Sequence, residues 1–445
     1  MLLRLSLLIR HPKRPVRRLF QRLVFWVAAV TVALAAIVFA KTSAAGSHLF
    51  ATVVAAHPLW AFFITPVSFA AVVWLTRTVF SGAEGSGIPQ AIAALKIPEL
   101  AQRRSVLSLR VASGKIMLTG LALCGGASVG REGPTVQVGA AIMHSVGRWV
   151  RLPSREMEHS LILAGGAAGI SAAFNTPLAG IVFAIEELSK SFEERTSGIV
   201  LTAVIIAGFT SMAILGNYNY FGRTDVVLEL SRAWRPVLLC GVAGGVLGGL
   251  FSRILIAFSC GLSGRIGALV KSRPVLFAFL CGLALAALGQ VSHSTIYGTG
   301  YEEAKGLLEG SAHLPLAFGL MKLGATVLSY LSGIPGGIFA PSLAVGAGLG
   351  SSLSNLAPGT PLAAFVILGV VGYFTGVVQV PITAVVIVVE MTSNQGLTLP
   401  LMSTALIAFA LSKLVCPQPL YRTLSQCFLE KSVRRNERPA PEEPA

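Results

Sequence analysis

Charge is scarce in this chain. Only 12% of its residues are Asp, Glu, Lys or Arg, with 19 acidic against 35 basic, where an ordinary soluble domain carries roughly 25% charge. That composition excludes a soluble globular fold. Cysteine is sparse too: Cys124, Cys240, Cys260, Cys281, Cys416 and Cys427 show no CxxC spacing, which argues against a disulfide framework or a metal site. The seven histidines are scattered, with no two in a ligand-like motif. No HExxH-like motif, and no nucleophile and base pair, supports an intramembrane enzyme. The basic residues are dispersed between apolar segments and form no basic and aromatic face for nucleic acid. No metal, cofactor or nucleic-acid partner is therefore expected.

Apolar residues dominate instead, at 54% of the chain with a mean hydropathy of +0.74. The runs Arg22 to Lys41, Ser197 to Gly216 and Arg235 to Phe258 approach or exceed the ~20 residues needed to cross a bilayer. Similar runs recur from end to end, so the reading is an all-α polytopic membrane protein. Residues 1–22 form a basic arm too charged for a removable signal peptide, residues 23–430 the transmembrane domain, and residues 431–445 a low-complexity tail expected to be disordered. Arg4, Arg10, Lys13, Arg14, Arg17, Arg18 and Arg22 in the arm, and the basic start of the tail, place both ends in the cytoplasm by the positive-inside rule. The net charge of +16 then reads as topology signal and contact with anionic membrane lipid.

A repeat lies in the glycines and prolines. Gly126, Gly130, Pro134, Val138, Gly139 and Ala140 match Gly333, Gly337, Pro341, Val345, Gly346 and Ala347 at an offset of 207. A second block follows at 204, where Gly165, Pro177 and Glu186 meet Gly369, Pro381 and Glu390. Two matched blocks in one order indicate duplicated halves, roughly 50–215 and 236–416, and internal duplication marks transporter folds whose sites lie near the membrane midplane. The identities leave open whether the second half is inverted and how many helices there are.

Three breaks carry the chemistry: "GSGIP" at 85–89, "GREGP" at 130–134 and "GIFAP" at 337–341. Each runs from glycine through proline into an apolar helical stretch, the order in which a broken chain starts a helix. A helix start leaves backbone N–H groups without internal partners at the positive end of the dipole. Several starts converging in the membrane cradle an anion, whereas one alone is only a kink or a close helix crossing. Ser86 adds a hydroxyl donor. Glu132, a carboxylate at such a mouth, can occupy the anion's place when ionised and must leave when protonated; the competing reading is a structural Arg131–Glu132 ion pair. Glu186 and Glu187 form a second acidic site. Neighbouring residues on an α-helix point about 100° apart, so the two do different work. Glu186 is echoed by Glu390 and reads as scaffold; Glu187 is answered by Met391 and reads as specialised.

Through "GSGIP", "GREGP", "GIFAP" and the "PLY" ending in Tyr421, the chain resembles the CLC chloride channel and transporter family from about residue 80 to 425. That resemblance implies a homodimer with a separate anion pathway in each subunit, built from two inverted halves of tilted and broken helices with the anion site at the midplane. It implies that Ser86, Tyr421 and the backbone of Ile338 and Phe339 hold the anion, that Glu132 is the gate, and that Glu187 is the inner proton acceptor. An inner glutamate resembles the chloride/proton antiporters, Ser86 the chloride-preferring members. Chloride and protons are thus the implied partners, in a bacterial inner membrane. A passive voltage- or pH-gated chloride channel of the same fold is the alternative. A cation transporter with Glu132 and Glu187 as ligands conflicts with the positive helix starts.

Overall fold

Uninterrupted apolar runs give long helices, and each Gly–Pro break ends one helix and starts another. The computed structural model describes residues 14–150, 155–189, 194–216, 219–261 and 265–436. Eight helices make the first half: α1 Arg14–Ala56, α2 Ala61–Thr78, α3 Ile88–Lys96, α4 Leu109–Cys124, α5 Glu132–Trp149, α6 Arg155–Phe174, α7 Pro177–Phe183 and α8 Glu194–Leu215. Eight follow in the second: α9 Leu230–Ser259, α10 Pro274–Val291, α11 Tyr301–Glu309, α12 Phe318–Leu331, α13 Phe339–Leu353, α14 Leu362–Val378, α15 Pro381–Thr392 and α16 Thr398–Val415. Helix α17, Leu420–Asn436, stands outside the repeat, and short helices at 100–106 and 265–272 link their neighbours. Among the described residues seven helical segments are long and apolar enough to span a membrane, from Gln21–Ala56 to Thr398–Val415. Most of the others are shorter, while α5 and α6, at 18 and 20 residues, are long enough but less apolar.

The halves are related by contacts that run in both directions. Gly130 N donates to Gly337 O and Gly337 N to Gly130 O, both at 2.7 Å, an antiparallel bridge. Glu186 accepts from Ile382 N at 3.2 Å and from Thr383 N and Oγ1 at 2.6 and 2.7 Å. Glu390 in turn accepts from Leu178 N at 3.1 Å and Ala179 N at 2.7 Å. The offset of 204 relates the two exchanges crosswise: Glu186 matches Glu390, while Leu178 and Ala179 match Ile382 and Thr383. Gly139 against Gly165, and Gly346 against Gly369, bring α5 onto α6 and α13 onto α14 backbone to backbone, as small residues allow where membrane helices cross. The fold is therefore a pair of inverted halves around a pseudo-twofold axis.

Three expectations change. Cys260 and Cys427 are joined in a disulfide with their Cα atoms 5.3 Å apart, although no disulfide was expected. They lie 167 positions apart, so spacing along the chain carries no trace of a pairing made by packing α17 against the end of α9. Glu186 and Glu187 fall in a π-helical segment, Ala184–Ser189, rather than in an α-helix; π turns inside α-helices frequently fall at functional sites. The helices also overrun the expected bounds, since α1 puts the start of the first half well before residue 50. α1 begins at Arg14 and α17 continues to Asn436, while residues 1–13 and 437–445, the rest of the arm and tail, lie outside the described residues.

Candidate functional site

The start of α3 is built first. The chain turns at Gly85 and Gly87 with φ of +64° and +94°, a conformation glycine adopts at little cost. Gln90 locks that turn, its Oε1 accepting from Gly87 N at 2.9 Å and its Nε2 donating to Glu84 O at 2.6 Å. Lys115 of α4, fully buried, donates to Glu84 O at 3.1 Å and Gly85 O at 2.9 Å. The loop is thereby held so that the Ser86 side chain packs on Gly133, where an added Cβ would come within 2.7 Å of Ser86 Oγ and 3.4 Å of Gly337 Cα. All three glycine breaks meet at this point.

The remaining donors come from the second half and the last helix. Ile338 caps α13 and Phe339 is its first residue, where backbone N–H groups have no intrahelical acceptor. The Phe339 ring stacks on that of Tyr421 at 6.4 Å and 13°, and it touches Phe374 at 4.5 Å, Phe174 at 5.8 Å and Phe183 at 6.0 Å. This aromatic cluster sets the Tyr421 ring. The Tyr421 hydroxyl faces that of Ser86, both residues are buried, and neither oxygen makes a hydrogen bond of normal geometry. Two buried hydroxyls aimed at one place beside two helix starts fit a small dehydrated anion, since an unsatisfied buried polar group costs about 1–3 kcal/mol.

Glu132 opens α5 and is wholly buried. Its Oε2 lies against Gly130, where any side chain would collide with it. Its carboxylate faces the amides of Ala340, Arg131 and Glu132 itself, though none meets strict hydrogen-bond geometry. Arg131 Nε stands 3.8 Å from Oε1, at the far limit of an ion pair, so the arginine does not tie the carboxylate down. Glu187 is buried on the π turn at 3% exposure, whereas Glu186 is spent on the α15 start. Tyr421 lies within electrostatic reach of both Glu187 and Glu132.

Two cavities approach from opposite ends of α2. One, about 860 Å³, is lined by Arg131, His48, His293, Glu302 and Glu303 among others. The second, about 850 Å³, is lined by Gly82, Glu84, Arg104, Arg110 and Phe428 among others. Every residue singled out in the sequence for the site, namely Ser86, Glu132, Glu187, Ile338, Phe339 and Tyr421, is buried. Lys115 was overlooked, although a lysine inside an apolar helix is itself a mark of function. Among the described residues no cluster of His, Cys, Asp or Glu could hold a metal.

Residues 67–413 match the family described as voltage gated chloride channel. The chain belongs to that family. It is 33% identical over 380 residues to the H(+)/Cl(-) exchange transporter ClcA of Yersinia pestis bv. Antiqua (strain Angola), covering 82% of this chain and 77% of that one. To the protein of the same name in Vibrio cholerae serotype O1 (strain ATCC 39541 / Classical Ogawa 395 / O395) it is 32% identical over 416 residues, 87% and 84% of the two chains. In structure it resembles a slow cyanobacterial Cl-/H+ antiporter with a TM-score of 0.76 at 25% identity, covering 92% of this chain and 98% of that one. A CLC-type fluoride/proton antiporter gives 0.75 at 25% identity, with 90% and 97% covered.

Proposed function

We propose that this multi-pass membrane protein exchanges chloride for protons, with no covalent step. Chloride rests between the Ser86 and Tyr421 hydroxyls and the amides of Ile338 and Phe339. Glu132 closes the outer side while ionised; protonated, it swings out and lets the anion pass. Protons reach it from the inner side through Glu187. The observation that carries this reading is that two buried carboxylates, Glu132 and Glu187, both lie within electrostatic reach of Tyr421, so a proton and an anion compete around one hydroxyl. The relatives named as H(+)/Cl(-) exchangers support it.

The basic composition of arm and tail supports cytoplasmic termini in a bacterial inner membrane, and the family resemblance supports two copies with one pathway each. Purified protein in a planar bilayer under combined chloride and proton gradients tests the exchange. A reversal potential that shifts with pH is expected. One that follows chloride alone would leave a passive channel.

A further inference from the structure

Cys260 ends α9, and Cys427 lies 427 − 421 = 6 residues beyond Tyr421 in α17, about 9 Å along the helix at 1.5 Å per residue. Their disulfide therefore fastens the helix that carries the anion-facing hydroxyl. α17 has few other anchors: it packs on α3, which begins beside Ser86, on α9, and marginally on α14. The attachment reaches further, because Ser259 beside Cys260 hydrogen-bonds Tyr330 near the end of α12, and α12 leads into the Ile338–Phe339 start. Phe428, next to Cys427, lines the inner cavity with Glu84, Arg104 and Arg110. One covalent bond thus ties the Tyr421 helix, beside the second cavity, to the end of α9 and through Ser259 to α12.

Chemistry gives that bond a role. Cys260 is exposed and Cys427 half-buried, so the pair lies at the surface of the fold and not in its core. The sequence following Cys260 carries Arg265, Lys271 and Arg273, and the sequence following Cys427 carries Lys431, Arg434 and Arg435, basic segments that by the positive-inside rule face the cytoplasm. Disulfides there are rare, and those that form are usually transient or redox-sensing. The remaining cysteines, Cys124, Cys240, Cys281 and Cys416, are free.

We propose that Cys260–Cys427 is a thiol–disulfide exchange site for a cytoplasmic dithiol, and that its redox state sets how freely the Tyr421 helix moves. A thiolate of the dithiol attacks one sulfur, giving a mixed disulfide and releasing one cysteine thiolate. The second thiol of the dithiol then resolves that intermediate. The cysteines gain two electrons and two protons, and the dithiol leaves as its own disulfide. Oxidised, α17 is held against α9 and exchange is slow. Reduced, Tyr421 can move off Ser86 and exchange is faster.

The transport half of this proposal rests on the exchange reading above; the chemical half does not. Full-length protein purified without reductant, then denatured and labelled with a maleimide, should show four reactive cysteines, the four that are free, and all six after dithiothreitol. In vesicles containing the unreduced protein, dithiothreitol should raise chloride efflux severalfold. Cys260→Ser, Cys427→Ser and the double variant should match the reduced rate and ignore dithiothreitol, which separates the latch from a general effect of reductant. Six reactive thiols before reduction overturn the site, and equal efflux in both redox states overturns the latch. If no redox state moves chloride, the exchange reading fails while the thiol count still decides whether the site exists.

Discussion

Lys115 and Lys322 lie 322 − 115 = 207 positions apart, the offset that relates Gly130 to Gly337, and both ammonium groups are fully buried against backbone carbonyls. Lys115 holds Glu84 and Gly85. Lys322 donates to Ile296 O at 2.8 Å, Tyr297 O at 3.2 Å and Gly298 O at 2.8 Å. Each lysine thus clamps the loop that starts the short helix of its own half, α3 or α11. A turn further along, Thr119 Oγ1 donates to Pro335 O at 3.4 Å while Thr326 Oγ1 meets Ser128 Oγ at 3.1 Å, again related by 207. Only one of the two clamped loops carries Ser86, whereas the other, through Tyr297 and Gly298, lines the cavity of about 860 Å³.

Lys115→Met should leave the Glu84 and Gly85 carbonyls without their cation, at about 1–3 kcal/mol for the unpaired groups, and loosen the Ser86 loop. Chloride titration by calorimetry should show weaker binding, beyond the loss seen in Lys322→Met. Equal affinity losses in the two variants would remove the special role given to Lys115.

Glu132→Ala should let anions through while abolishing proton coupling and pH dependence, because the competing carboxylate and the proton carrier leave together. Chloride efflux from loaded proteoliposomes, recorded with external pH, checks this. A folded variant with no anion flux is the contrary result.

Glu187→Gln should keep anion binding and lose proton movement, since the amide keeps the shape but does not titrate. Glu186→Gln is the control. Its carboxylate accepts from Ile382 N, Thr383 N and Thr383 Oγ1, and an amide offers only one acceptor oxygen, so its thermal midpoint should fall while coupling survives. Chloride efflux and proton uptake measured in the same voltage-clamped vesicles separate the two. Uphill proton pumping by Glu187→Gln moves the inner path elsewhere.

Ser86→Pro should raise nitrate use relative to chloride, because proline removes the hydroxyl donor that faces Tyr421. Competition between the two anions in a binding titration checks it, and an unchanged ratio counts against Ser86 as a ligand.

Much of this site could be read from the chain because its parts are made of unusual residues in a fixed order. Glycine before proline in "GSGIP", "GREGP" and "GIFAP" marked three helix starts, and these do converge, with Ser86 on Gly133 and Gly133 beside Gly337. The echo of Glu186 in Glu390 anticipated the scaffold position that its bonds to α15 display. The disulfide was invisible, since a pairing 167 residues long depends on where two helix ends land. The π turn was hidden as well, because "AIEELS" has the composition of an ordinary amphipathic helix end. Lys115 was passed over as one basic residue among 35, although its match with Lys322 at 207 was there to be found.

The bonds exchanged between Gly130 and Gly337, and between Glu186 and Glu390 with their opposite helix starts, are those a half-length chain would make with a second copy of itself inserted upside down. Such a progenitor needs no topological bias: equal insertion in both directions is its working state. Fusion into one chain removes that freedom, because the first half must now choose a side and the second must take the other. Six arginines fall in the first 22 residues, and a loop-charge bias of that kind is what such a choice requires.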